Sequence, residues 1–587
     1  MNFFLPDSFF IALTLGVPLA LVVTWCIPML RPVTHHLLPA APLPGLALAL
    51  LGSDGATLSL SYMVLGSVFG IGSITRVFLG FTAVLWIAAA IHAQGYLADD
   101  PARDRFELLW LVTLTGNLGL LVSLDVASFY LFFAVMTFAA YGLVIHERNA
   151  ESLYAGRIYL IMAVLGEGLI LAGLLMAASA NRVISPFVPL LADLPAAILI
   201  SSQQDLIIAF LWLGFGIKAG LPLLHMWLPL AHPVAPIPAS AVLSGAMIKA
   251  GVLAWMLLLP LGLVHAPLWG NVITITGITM AFAAAFIGVQ QHREKTVLAY
   301  SSISQIGFIT VAIGAALYDP ALWSLLAPIA TLYALHHGLV KGALFLGVAV
   351  AHHPGPSIRP LLWVGLALPG LALAGLLPGG MHIKLGLKET LALAHDVPDW
   401  WSTLPLLLGV ATIGTTALIA RYLWLLRTPR DTTYAPALVW VGWLFALGAA
   451  MVAPFVLPIV EWGGKSPATA QDVMNLIWPP LTGIALAWLA WKVPLRTLPI
   501  PAGDVLVLFE RAAQGLRRGG TLLAHAFKNR QAGFMLRFKR WLNRRLFQDS
   551  GISAMLERMW RRETVLSLLA IVLAFALVTL APYFMGT

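Results

Sequence analysis

Four lysines stand where a chain this apolar should carry no charge. Lys218 is the only charged residue between Asp205 and His225, and Lys249 the only one between His232 and His265. Lys341 lies in a run from Pro320 to Ala351 with no other formal charge, and Lys384 follows Pro378-Gly379-Gly380. A lysine at bilayer depth costs at least about 2.5–3.5 kcal/mol on insertion scales. The chemistry that calls for such residues is movement of ions. A lysine in low dielectric is switched between proton-bound and proton-free states by a nearby charge, so a row of them can hand a proton along.

The elements around these lysines must be interrupted helices. Gly214, Gly216 and Gly220 precede Pro222, so the helix bearing Lys218 is expected to break there. Broken helices are tolerated in membranes only where the freed backbone is buried in protein or faces a watery cavity. His225, His232 and the prolines 229, 233, 236 and 238 follow before the next span. Lys249 comes eleven residues after Pro238, or about 16 Å along a helix axis, too deep to snorkel to the interface.

Composition sets the class. The 587 residues are 60% hydrophobic and 10% charged, with a mean hydropathy of +0.90; a soluble chain carries roughly 25% charge. Apolar runs of about 20 residues predict an all-α integral membrane protein with about 14–16 transmembrane helices. One cysteine, Cys26, excludes an intramolecular disulfide framework and a thiolate metal cage, and is expected to pack as a small apolar residue. Met1–Leu30 lacks a basic n-region and reads as a first span rather than a cleaved signal.

Of the net charge of +9, most sits between Asp504 and Glu563, where 13 Lys or Arg face 5 Asp or Glu. This segment is too charged to cross. Its apolar set, including Leu506, Phe509, Leu516 and Trp541, predicts a basic amphipathic helix lying in the interface, followed by an anchor span from about Thr564. Lipid headgroups or a neighbouring subunit suit it better than nucleic acid. With alternating spans, one side of the membrane collects Arg31, Arg103, Arg105, Arg148, Arg157, Arg293, Lys295, Arg359, Arg427, Arg430, Lys492 and Arg496, and the other only Arg76, Arg182 and Lys465. The first side is expected to be cytoplasmic, with both termini outside.

The stretch GFGIKAGLPLLHMWLPLAHPVAPIPASAVLSGAMIKAG (214–251) resembles the antiporter-like proton-channel subunits of respiratory complex I, membrane-bound hydrogenases and multi-subunit cation/proton antiporters. Its wording is most similar to the hydrogenase-4 component B and formate hydrogenlyase type. KTVLAYSSISQIG (295–307), HHGLVKGALFLG (336–347) and GLLPGGMHIK (375–384) extend the resemblance over at least 110–400. It implies two inverted five-helix repeats, each with a broken helix and a central lysine: Lys218 in the first, Lys384 in the second. Lys249 matches the family's next lysine, and His337 with Lys341 its connecting pair. One departure stands out. In LFFAVMTFAAYG (131–142), Ala134 occupies the place of a family glutamate that modulates the first lysine, and Glu167 is the candidate to replace it.

The resulting expectation has six parts: N-terminal helices (1–105), a first repeat (106–261), a second repeat (262–427), further helices (428–500), a lateral helix (501–563) and an anchor (564–587). Proton transfer is assigned to Lys218, Lys249, His337, Lys341, Lys384 and Glu167, with no catalytic or metal residue. No cofactor is expected in this chain, which has no glycine fingerprint for nucleotides. Redox chemistry would sit in partner membrane subunits, against which the lateral helix would pack. The function implied is a proton-translocating subunit of a redox-driven complex in a bacterial inner membrane. Sodium is a second candidate cargo. A multi-subunit sodium/proton antiporter, the energising partner of an inorganic-carbon uptake system, and a scaffold without transport are the alternatives. Tyr300, Ser301 and Ser304 read as packing hydroxyls, Lys388-Glu389 as a solvated pair, and His352-His353 as a surface loop.

Overall fold

The computed structural model describes residues 7–507 apart from short stretches at 62–65, 183–187, 354–358, 429–432, 458–460, 462, 494–497 and 499. Met1–Ala502 forms one compact unit; the other, Gly503–Thr587, lies almost wholly outside the described residues, and with it the expected lateral and anchor helices.

Helices α1 (Asp7–Cys26), α2 (Arg31–Leu37) and α3 (Leu43–Leu51) lead into a hairpin of β1 (Thr57–Leu60) and β2 (Ser67–Gly70). Then come α4 (Ser73–Tyr96), α5 (Arg103–Val122), α6 (Val126–Val144), α7 (Ala150–Asn181), α8 (Leu194–Ile200) and α9 (Gln204–Ala219). Past a break follow α10 (Trp227–Val234), α11 (Ile237–Val242) and α12 (Ile248–Leu258), the last two joined by a π-helical turn at Leu243–Met247. The centre is α13 (Pro267–Val289), α14 (Glu294–Tyr318) and α15 (Trp323–His352). The described helices end with α16 (Arg359–Ala374), α17 (Gly380–Leu391), α18 (Leu404–Leu426), α19 (Ala437–Val456) and α20 (Ala470–Lys492).

Thirteen helical stretches among the described residues are long and apolar enough to cross a membrane. Beside them stand two helix pairs, α9–α10 and α16–α17, each divided by a break. The chain is therefore a multi-pass, all-α membrane protein. A stretch of 18 residues in each of α14 and α15 is wholly buried in protein, whereas α1, α19 and α20 turn most of their surface outward. The hairpin was not expected from the sequence. It is held by Asp125, whose carboxylate accepts the Val68 and Ser128 N–H groups at 2.8 Å each, so one side chain both caps α6 and ties β2 down. Cys26 is exposed at the end of α1 rather than packed.

Close backbone approach sets the spacing of the central pillars. A Cβ at Gly277 would meet the Gly307 carbonyl at 2.7 Å, and one at Gly307 would meet the Gly277 carbonyl at 2.5 Å. Only glycine lets α13 and α14 touch at this point. Gly448, on the outer α19, has no atom within 4 Å of the same construction. Gly307→Val should therefore destabilise the solubilised protein by about 1–3 kcal/mol, the usual cost of overpacking. Gly448→Ala should be neutral. Thermal unfolding in detergent checks both, and equal midpoints for the two variants would contradict this packing account.

Candidate functional site: a seam of buried lysines

The first break is built from glycine and tryptophan. Gly220 adopts φ 95°, a left-handed conformation that ends α9, and its N–H donates back to the Gly216 carbonyl at 2.8 Å. The Trp227 indole N–H, on the far side of the break, donates to the Ile217 carbonyl at 2.8 Å. Lys218 thus sits in the last turn of its half-helix, at the carbonyl-rich end that favours a cation.

Lys218 is buried, and its ammonium donates to Thr137 Oγ1 at 3.3 Å and to the Tyr159 hydroxyl at 3.4 Å. Tyr159 in turn donates to the Thr137 carbonyl at 2.7 Å. The buried carboxyl of Glu167 lines the same small cavity as Thr137 and Lys218. The Thr137 hydroxyl therefore accepts from the lysine within a cluster that also holds the acid. Glu167 Oε2 has no hydrogen-bond partner among the described residues. It borders a cavity of about 20 Å³ that Lys218, Thr137, Tyr159 and Trp227 also line, space for about one water. Ala134 is buried one turn before Thr137 on α6, so the position expected to carry the acid and the hydroxyl that accepts from Lys218 share a helix face.

Lys249 follows the π-helical turn directly, and its ammonium donates to the Ser244 carbonyl at 2.5 Å. Single π turns cluster at functional sites because their carbonyls are less completely used by the helix. On α15, Lys341 donates to the Leu298 carbonyl at 2.8 Å and to the Ser301 hydroxyl. Both lysines are fully enclosed, and each ammonium lies within the other's field.

His337 stands one turn before Lys341, with neither ring nitrogen hydrogen-bonded among the described residues. The charges of Lys249, Lys341, His336 and Lys384 all act on it. One further turn back, the Tyr333 hydroxyl donates to Gln305 Oε1 at 2.9 Å, and Gln305 Nε2 donates to Thr415 Oγ1 at 2.8 Å. Tyr333, His337 and Lys341 recur at i, i+4 and i+8, so they form one stripe of α15 facing Ser301 and Gln305 of α14.

The second break runs from Gly375 (φ 85°) to Gly379 (φ 90°). Lys384 lies five residues into α17, after its break, whereas Lys218 precedes its own. The Lys384 ammonium is buried, has no hydrogen-bond partner among the described residues and rests 5.0 Å from the Phe308 ring centre. His336 packs against the break, where a Cβ on Gly380 would lie 3.0 Å from its Nε2.

All six expected residues are buried in the same unit. Thr137, Tyr159, Ser301, Gln305 and Tyr333 were not singled out as participants, since helical hydroxyls and amides carry no sequence signal of their partner. Three expectations need correction. Ser301 is a direct partner of Lys341 as well as a packing residue. Lys388 is half-buried, its ammonium 3.6 Å from where a Cβ on Gly409 of α18 would stand, because α18 and α20 cover that end of α17. His352 is buried in the last turn of α15, with Nε2 3.3 Å from a Glu294 oxygen, and His353 is half-buried.

Residues 123–362 match the family model described as NADH:quinone oxidoreductase/Mrp antiporter, TM. The chain is 28% identical over 278 residues to hydrogenase-4 component B of Escherichia coli strain K12, covering 45% of this chain and 40% of that relative. It is 29% identical over 438 residues to the hydrogenase-4 component F homolog of Methylacidiphilum infernorum, covering 68% of this chain and 87% of the relative. Its fold is similar to a chain in the structure of the Mrp complex from Dietzia sp. DQ12-45-1b, with a TM-score of 0.72 at 21% identity, over 88% of this chain and 60% of that one. Over its central region, 123–362, the chain is therefore similar to the membrane-spanning subunits that the NADH:quinone oxidoreductase/Mrp antiporter model describes.

Proposed function

We propose that the chain is the proton-translocating membrane subunit of a redox-driven assembly of the complex I or membrane-bound hydrogenase kind. The observation that carries this reading is the row of enclosed cations, Lys218, Lys249, Lys341 and Lys384, with His337 among them and Glu167 at one end. Buried cations without paired acids repel one another, so a proton arriving at one lysine favours departure from its neighbour. Glu167 acts on this row across the cavity it shares with Lys218 and Thr137. An ionised carboxylate holds the proton on Lys218, and neutralising the carboxylate releases it toward Lys249.

In this reading the two breaks belong to two inverted repeats, 106–261 and 262–427, and the side rich in Arg and Lys is cytoplasmic in a bacterial inner membrane. Electron transfer belongs to partner subunits. The kinship with hydrogenase-4 components supports a redox-driven complex. The family model equally covers a sodium/proton antiporter as the second reading.

Lys218→Ala and Lys384→Ala, each in the intact complex reconstituted in vesicles, should abolish proton uptake while the complex still assembles. Uptake unchanged in both variants would leave only a structural role. Thr137→Val keeps the side-chain shape and deletes the hydroxyl that accepts from Lys218; it should slow uptake by about tenfold, the worth of one hydrogen bond to a charged group. Glu167→Gln should slow uptake at least as much, and adding Ala134→Glu to it should restore part of the rate. Wild-type uptake in Glu167→Gln would remove the acid from the mechanism.

A further inference from the structure

His232 is the buried titratable group that the lysine row leaves without a task. It is fully enclosed, and neither ring nitrogen is hydrogen-bonded among the described residues. Leaving such groups unpaired costs about 1–3 kcal/mol each, and a phenylalanine would stack as well without that cost. The ring stacks on Phe345 at 4.8 Å between centres.

Phe345 belongs to a stripe with direction. Lys341, Phe345, Val348 and His352 follow one another at spacings of four, three and four on one face of α15. Val348 and His352 border a cavity of about 200 Å³, whose walls also carry Glu147, Glu151, Arg293, Glu294 and Lys295. At about 30 Å³ per water, that cavity holds several. Its floor is the joint between α10 and α11, where Arg293 donates to the Pro233 carbonyl at 3.2 Å and Lys295 to the Ala235 carbonyl at 2.5 Å. Eleven residues of helix, about 16 Å, separate Lys341 from His352. His232 stacks on Phe345, which stands between them, one turn from Lys341. The charges of Lys295 on the cavity side, and of Lys341 and Lys249 on the buried side, all act on it.

We infer that His232 is the proton-transfer link between this polar cavity and the Lys249–Lys341 pair. Imidazole is suited to the step because it can gain a proton on one nitrogen and lose one from the other. A hydronium in the cavity water gives up a proton, leaving neutral water, and an N–H bond forms on one ring nitrogen. The N–H on the other nitrogen breaks and its proton passes to a neutral Lys249 or Lys341 amine, which becomes an ammonium. Tautomer exchange returns the ring to its starting form, so one positive charge has moved from the cavity to the lysine and the ring keeps none. Arg293, bonded to Glu151 and to the joint itself, positions the cavity floor.

The inference rests on the proton-translocation reading, and the test separates the two. In the reconstituted complex, His232→Ala should lower proton uptake roughly 10²-fold, the size of a lost proton-transfer group, and added imidazole should restore part of it. His232→Phe keeps the stack on Phe345; it should assemble, lose uptake equally and resist rescue. Parent-like uptake in either variant, or a loss in His232→Ala that imidazole does not relieve, overturns the inference. Lys341→Ala is the companion measurement. If it is inactive while His232→Ala pumps, only the His232 link fails; if both pump normally, the translocation reading fails as well.

Discussion

Everything in this chain follows from one constraint: an ammonium group held among membrane-spanning helices must find its hydrogen bonds inside the protein. Lipid offers none, and an unpaired polar group there costs several kcal/mol. Regular helices offer few spare acceptors, because most of their carbonyls are already used. At two of its lysines the chain departs from regular helix: Lys218 sits at the carbonyl end of a half-helix, and Lys249 takes a carbonyl from a π-helical turn. Lys341 instead shares the Leu298 carbonyl of the regular α14 and adds the Ser301 hydroxyl. Lys384 is the exception: it rests on the Phe308 ring with no hydrogen-bond partner among the described residues.

The same constraint explains the enclosed pillars. Helices α14 and α15 bear most of the polar seam and are buried over the turns that carry it, with glycine contacts bringing α13 against α14. Such covering keeps the seam away from lipid and fixes the spacing of Ser301, Gln305, Tyr333, His337 and Lys341. A hydrogen-bonded row needs that fixed spacing, since a shift of an ångström or two breaks a bond.

Much of this was legible in the sequence, for identifiable reasons. Isolated lysines in apolar runs are conspicuous, and Gly220 with Pro222, or Pro378 with Gly379, marks a break through its own backbone chemistry. The missing acid at Ala134 was visible as a departure from the family pattern. What joins the parts was not legible. Thr137 and Ser301 look like any hydroxyl in a membrane helix, and only the packing of α6 on α7 and of α14 on α15 gives them partners. Lys388 was misread because its cover comes from α18 and α20, distant in sequence, and His352 because Glu294 of α14 stands against the end of α15. The β-hairpin at 57–70 escaped notice since its two strands are only four residues each and are held by Asp125 from another segment.

The central claim is that these side chains form one hydrated seam, and ordered water tests it most directly. Electron cryo-microscopy of the intact complex, at a resolution that shows individual waters, should find one between Glu167 and Lys218. Further waters should join Lys249, His337 and Lys341 to Lys384 without an apolar gap. Dry, close-packed apolar side chains separating Lys218 from Lys249, or Lys341 from Lys384, would contradict the account.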